Sequence, residues 1–134
     1  MPPTESSVPR LQGATPQVFV TDLARSLAHY RDRLGFEIVY THGEPPFYGE
    51  VRRDGARLNL RVVDESPFLA GVQEREELLS AYVEVTDPEA LSHEIEEAGA
   101  EIHAPLRRTP WGTIEVIVRD PDGNLLLFGA AAQC

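Results

Sequence analysis

Apolar and polar positions alternate along this chain in short runs, and one run occurs twice. Val18-Phe19-Val20-Thr21-Asp22 returns 65 positions later as Val83-Glu84-Val85-Thr86-Asp87. Alternation with period two buries one face of a strand, and the Asp that follows caps a helix by accepting from its free N–H groups. The first run predicts a strand over 15–21 and a helix whose apolar stripe is Leu23, Leu27, Tyr30 and Leu34, closed by Gly35. The second predicts a strand over 80–86 and a helix opened by Pro88, striped by Leu91, Ile95 and Ala98 and closed by Gly99. Three further strands follow each helix: 36–41, 47–53 and 57–63 in the first half, then 100–106, 113–119 and 124–128 in the second. Asp54-Gly55 and Pro121-Asp122-Gly123 supply turns between the last two strands of each half. The order is βαβββ, written twice.

The 134 residues, 42% of them hydrophobic, suffice for one core. The expected organisation is a single α+β domain over 14–128, made of modules 14–63 and 79–128. A linker over 64–78 with a short acidic helical piece at 74–79 joins them, and residues 1–13 and 129–134 are flexible tails. Neither module is large enough to stand alone, so the two share a sheet or a core.

The net charge is −10 and all 12 basic residues are arginine. Such a field repels phosphate backbones and anionic lipid and favours cationic partners, so neither nucleic acid nor a membrane is an expected partner. Cys134 is the only cysteine, which rules out an internal disulfide and a thiolate metal site and points to a reducing, cytoplasmic setting. No signal-peptide pattern or long apolar run is present.

The strand, the Asp-capped helix with Ser26 and His29-Tyr30, its ending Leu34-Gly35-Phe36 and the closing Asp120-Pro121-Asp122-Gly123-Asn124 together resemble the vicinal oxygen chelate superfamily. That superfamily holds glyoxalase I, extradiol dioxygenases, fosfomycin-resistance enzymes and bleomycin-resistance proteins. The resemblance spans about 14–128 and implies two βαβββ modules curled into a cupped, mixed eight-stranded sheet, completed as a homodimer with a small-molecule ligand in the cup. It implies little about activity, since one scaffold hosts metalloenzymes and metal-free binders. Positions where the metalloenzymes carry ligands correspond to Thr15, Ser80 and Leu127, and an aliphatic side chain cannot replace a carboxylate donor. The expectation is therefore no metal and no cofactor. His29 and His93 are read as solvent-facing or partly packed, and His42 and His103 as the histidines nearest a cleft.

The segment Pro110-Trp111-Gly112-Thr113, Glu115 and the stretch from Arg119 to Phe128 are similar to bleomycin-resistance proteins, which sequester a bulky cationic drug unaltered. Strand alternation adds cup-facing candidates: Phe19, Tyr48, Glu50, Asn59, Arg61, Tyr82, Glu84 and Glu115, with Trp111 offering a stacking face at the rim. Carboxylates beside aromatics suit a planar cation, while Arg61 and Arg107-Arg108 are expected to pair with neighbouring glutamates. The expected function is metal-free binding of a small, cationic or aromatic compound such as an antibiotic, protecting by sequestration, with no catalytic residue. The alternative is a glyoxalase- or dioxygenase-type enzyme, a lyase, isomerase or dioxygenase with an atypical metal set or a carboxylate such as Glu115 in acid–base work.

Overall fold

The computed structural model describes residues 8–69 and 71–132. The remaining parts of the two expected tails, 1–7 and 133–134, lie outside the described residues. The first module runs β1 (Gln17–Val20), α1 (Leu23–Asp32), β2 (Glu37–His42), β3 (Tyr48–Arg53) and β4 (Ala56–Val62). After the short α2 (Val72–Arg75), the second runs β5 (Leu79–Glu84), α3 (Pro88–Glu97), β6 (Glu101–Arg108), β7 (Thr113–Arg119) and β8 (Leu125–Ala131). The duplicated βαβββ order is present.

The same local chemistry builds both helices. Asp22 accepts from the Arg25 N–H at 3.0 Å and Asp87 from the Ala90 N–H at 3.0 Å, each satisfying a donor that has no partner within its helix. At the far ends Gly35 and Gly99 take positive φ, 75° and 88°, and let the chain turn back so that Phe36 N–H bonds the Tyr30 carbonyl and Ala100 N–H the Ile95 carbonyl.

The expected eight-stranded sheet is divided in two. One four-stranded sheet has the order β1-β4-β3-β2 and the other β5-β8-β7-β6, each with one parallel pair at the edge and antiparallel pairs beyond. The edge strands β1 and β5 lie against each other. Both helices cover the same side, where Val18, Val20, Tyr30, Leu34 and Leu60 of the first module and Ile95, Val116, Val118, Leu126 and Phe128 of the second form one buried cluster. Two boundaries differ from the sequence reading. The acidic helix lies at Val72–Arg75 and not 74–79, because Leu79 already pairs with Leu125 as strand. The chain from 129 to 131 is not tail, because β7 is long enough to pair Glu115, Ile114 and Thr113 with Gly129, Ala130 and Ala131.

The turn 120–124 closes one seam between the modules. Asp120 is buried, and its carboxylate accepts from the Tyr30 hydroxyl at 2.8 Å, the Asn124 amide at 2.9 Å and the backbone N–H groups of Asp122 and Asn124. Burial nevertheless holds this carboxyl above its ordinary range and pushes the Tyr30 phenol well above its own. Asp122 reaches the first module directly, accepting from Thr21 N–H at 3.1 Å and Thr21 Oγ1 at 2.6 Å, while Asn124 donates to the Phe19 carbonyl at 2.9 Å. The corresponding turn of the first module, Asp54-Gly55, is shorter. Beside it the second seam, facing Thr86-Asp87, stays open as a groove of about 680 Å³.

Candidate ligand-binding site

Alternation places the cup face opposite the helices. In the first sheet, the register row Gln17, Asn59, Glu50 and Tyr40 and the row Phe19, Arg61, Tyr48 and His42 cross that face. Phe19, Tyr48, Glu50, Asn59 and Arg61 are therefore gathered on one polar and aromatic surface, with Gln17 Nε2 donating to the Tyr48 hydroxyl at 3.4 Å. In the second sheet the equivalent rows read Tyr82, Leu127, Ile117, Ala104 and Glu84, Gly129, Glu115, Arg107. Ala104, Ile117, Leu125 and Leu127 form a separate apolar cluster there.

That second half of the cup is covered by the chain's own linker. Glu74 Oε1 meets Arg119 Nε at 2.6 Å, Glu77 Oε1 meets Arg107 Nη2 at 3.0 Å, and Glu77 Oε2 meets His103 Nε2 at 3.3 Å. The buried Gln73 sits over Ser80 at 3.5 Å. Of these residues only His103 stood out in the sequence, as one of the histidines nearest a cleft; Gln73, Glu74, Glu77 and Arg119 did not. Their polar character reads as solvated surface until the fold brings them together.

The three carboxylates expected to face a cation are not equivalent. Glu50 is buried and held through both oxygens by Arg57, at 3.0 and 3.1 Å. Glu115 is buried against Arg107 at 3.2 Å. Glu84 is exposed and makes no ion pair among the described residues. Arg107 does pair with glutamates as expected, whereas Arg61 and Arg108 make no ion pair among the described residues. Trp111 packs beneath no loop: it stands at the tip of the β6–β7 hairpin, 71% exposed, next to Gly112 with φ 91°.

The open seam is a concavity of about 680 Å³ that lies beside the centre of the cup. Its floor is apolar, from Leu34, Phe36, Leu58, Ile95 and Phe128. Two of the sequence-predicted residues, Tyr82 and Glu84, also line it, so the groove meets the cup along β5. A volume of this size suits a drug-sized molecule, with an apolar floor and a charged wall that includes Arg53, Asp54, Arg57, Glu84, Asp87 and Glu94. Arg53, also on its wall, is neutralised by Glu94 through contacts of 2.7 and 2.9 Å, which hold the Glu94 carboxyl below its ordinary range.

Metal chemistry does not fit this donor set. Ser80 Oγ is committed to Asn124 Oδ1 at 2.7 Å, and Leu127 is part of the apolar cluster. Among the described residues no group of three or more His, Cys, Asp or Glu side chains converges as a metal site. His42 lies exposed at the end of β2 with its ring edge-on to Phe47, and His93 is exposed on α3.

The sequence profile described as Glyoxalase/Bleomycin resistance protein/Dioxygenase superfamily matches residues 12–128. The chain belongs to this superfamily. Among solved structures of the superfamily's fold, a bleomycin-binding protein from bleomycin-producing Streptomyces verticillus, complexed with copper(II)-bleomycin, is 29% identical. It superposes with a TM-score of 0.72 over 95% of this chain and 100% of that one. A bleomycin resistance determinant encoded on the transposon Tn5 shares 21% identity, with a TM-score of 0.71 over 92% of this chain and 100% of that one. TioX from Micromonospora sp. ML1 shares 23%, with a TM-score of 0.68 over 89% and 99%. The last two likenesses are likenesses of fold. No curated protein sequence matches the chain significantly. Among the described residues no helix is long and apolar enough to cross a membrane.

Proposed function

We propose that this chain is a metal-free small-molecule-binding protein that sequesters a cationic or aromatic compound, an antibiotic in the manner of its bleomycin-binding neighbour. The observation that carries this reading is the groove of about 680 Å³ at the open seam, with its apolar floor and with Tyr82 and Glu84 at its cup-side mouth. An apolar or aromatic part of the ligand enters the groove. A positive group meets Glu84, whose charge no arginine among the described residues offsets, and Tyr82 contributes stacking and cation–π attraction. The first-sheet residues Phe19, Tyr48, Asn59 and Arg61 form the adjoining wall, Glu50 and Glu115 act through the arginines they hold, and Trp111 is a free stacking face at the rim. The overall charge of −10 favours a cationic ligand at longer range. The protein works as a homodimer in the cytoplasm, a reading supported by its superfamily and by its sparing use of cysteine.

The test is a titration followed through the fluorescence of Trp111, using copper(II)-bleomycin and simple planar aromatic cations, with the ligand recovered and analysed afterwards. Saturable binding with unaltered ligand is expected, weakened about tenfold by Tyr82→Ala or by Glu84→Gln. Chemical conversion of the ligand would favour the enzymatic alternative, and absence of saturable binding by every probe would remove the reading altogether.

A further inference from the structure

The inner face of the second sheet is filled by residues 71–78 of the chain itself, and the way they are fastened is unequal to what they cover. Their holds are polar: the pair of Glu74 with Arg119 at 2.6 Å, the pair of Glu77 with Arg107 at 3.0 Å, the contact of Glu77 with His103 at 3.3 Å and the bond from Gln73 to Ser80 at 3.5 Å. Every partner in the two arginine pairs keeps roughly a third or more of its side chain in solvent, so both pairs weaken as ionic strength rises. Gln73 is the only buried side chain of the segment, and Leu78 remains 49% exposed. Local conformation adds little: α2 spans four residues behind a glycine cap with no side-chain acceptor, and Glu77 sits at φ 52°, a region unfavourable for a residue with a Cβ.

Arg107 supplies the second state. It bonds Glu77 of the segment and Glu115 of the sheet at once, at 3.0 and 3.2 Å. When the segment leaves, the buried Glu115 keeps its partner and Glu77 passes to water, so no buried charge is stranded. We infer that residues 71–78 are a releasable strap, an autoinhibitory contact that occupies half of the cup and opens by loss of the Glu74 and Glu77 ion pairs. Opening uncovers Ala104, Ile117 and Leu127, which continue the register row of Tyr82 and so extend the ligand surface across the second sheet. The release itself does not depend on the ligand-binding reading above.

Thiol accessibility tests it without any ligand. In a chain whose own thiol is removed by Cys134→Ser, Ala104→Cys places a probe under the strap. Ala81→Cys places one in the core between sheet and helices, and both alanines are 6% exposed. Labelling at position 104 is expected to accelerate about tenfold between about 0.05 M and about 1 M sodium chloride. At low salt the Glu74→Gln/Glu77→Gln chain should show a similar acceleration, with position 81 unchanged in both cases. Equal acceleration at the two positions would mean general unfolding, and no acceleration at 104 would mean a permanently fastened segment; either overturns the proposal. If a cysteine variant fails to fold, amide exchange of the unaltered chain decides. The N–H groups of Arg75, Glu76 and Leu78, bonded within the segment, should exchange faster with salt while those of Val116 and Val118 do not. Strap amides indifferent to salt overturn it equally.

Discussion

The Tyr30 hydroxyl on α1 donates to the Asp120 carboxylate before β8 at 2.8 Å, joining two buried side chains 90 positions apart, one from each module. The repeat puts Ile95 where Tyr30 stands, and Ile95 has no hydroxyl to offer the shorter Asp54-Gly55 turn. One seam is thus sealed by a polar network and the other is left as the groove. The asymmetry between the two copies is what leaves the groove open.

Tyr30→Phe should cost about 1–3 kcal/mol of stability, because it removes a donor from a buried carboxylate while leaving the ring's packing intact. Urea unfolding of the two chains measures this. An unchanged midpoint would show that the Asn124 amide and the backbone donors satisfy Asp120 unaided.

His29 makes the fold acid-labile. Its Nε2 is buried with no partner, and burial first, then the nearby Arg33 charge, lower its pKa from 6.5 to about 4. A lowered folded value means that the unfolded chain binds the proton more readily, so stability is intact above pH 6.5 and falls as pH drops from there to about 4. Allowing for partial exposure, the loss is on the order of 2 kcal/mol. Glu77 and Glu94, lowered by Arg107 and Arg53, add their losses below their ordinary value of 4.5. A His29→Gln chain should show a flatter stability profile between pH 6.5 and 4 than its parent, and parallel profiles would sink this account.

Arg57→Ala leaves the buried Glu50 carboxylate without its two-oxygen partner. Since Arg57 itself is exposed, the expected loss of stability is larger than that of a surface pair and smaller than that of a fully buried one. Adding Glu50→Leu to that variant should recover most of the loss in thermal unfolding, because no unpaired charge then remains. Failure of the second change to recover stability would show that Glu50 has another essential contact.

The duplication, both caps, both closing glycines and the facing of Val18 and Val20 were all legible, because each rests on local periodicity or on one residue's conformational preference. So was the sharing of the cup face by Phe19, Tyr48, Asn59 and Arg61, which follows from alternation alone. Three features were not. Glu50 looks like a free ligand in the sequence, but Arg57, 7 positions away, is brought opposite by strand pairing; Arg107 is expected to pair with a glutamate, but strand pairing alone shows that Glu115, 8 positions away, is one of its partners. The linker gives no sign that it folds over the second sheet, since its contacts run to Ser80, His103, Arg107 and Arg119. The open seam depends on the length of one turn measured against another, a comparison across modules that no local pattern carries.

The most direct measurement is a calorimetric titration of the unaltered chain and of Ala90→Phe with copper(II)-bleomycin and a planar aromatic cation. Ala90 lies on the exposed side of α3 and lines the groove, so a phenyl ring there obstructs the site without replacing any buried side chain. The account predicts saturable binding to the unaltered chain and at least about a tenfold weaker association in the variant, the scale of an obstructed aromatic contact. Equal affinity in the two chains, or no saturable binding to either, would contradict it.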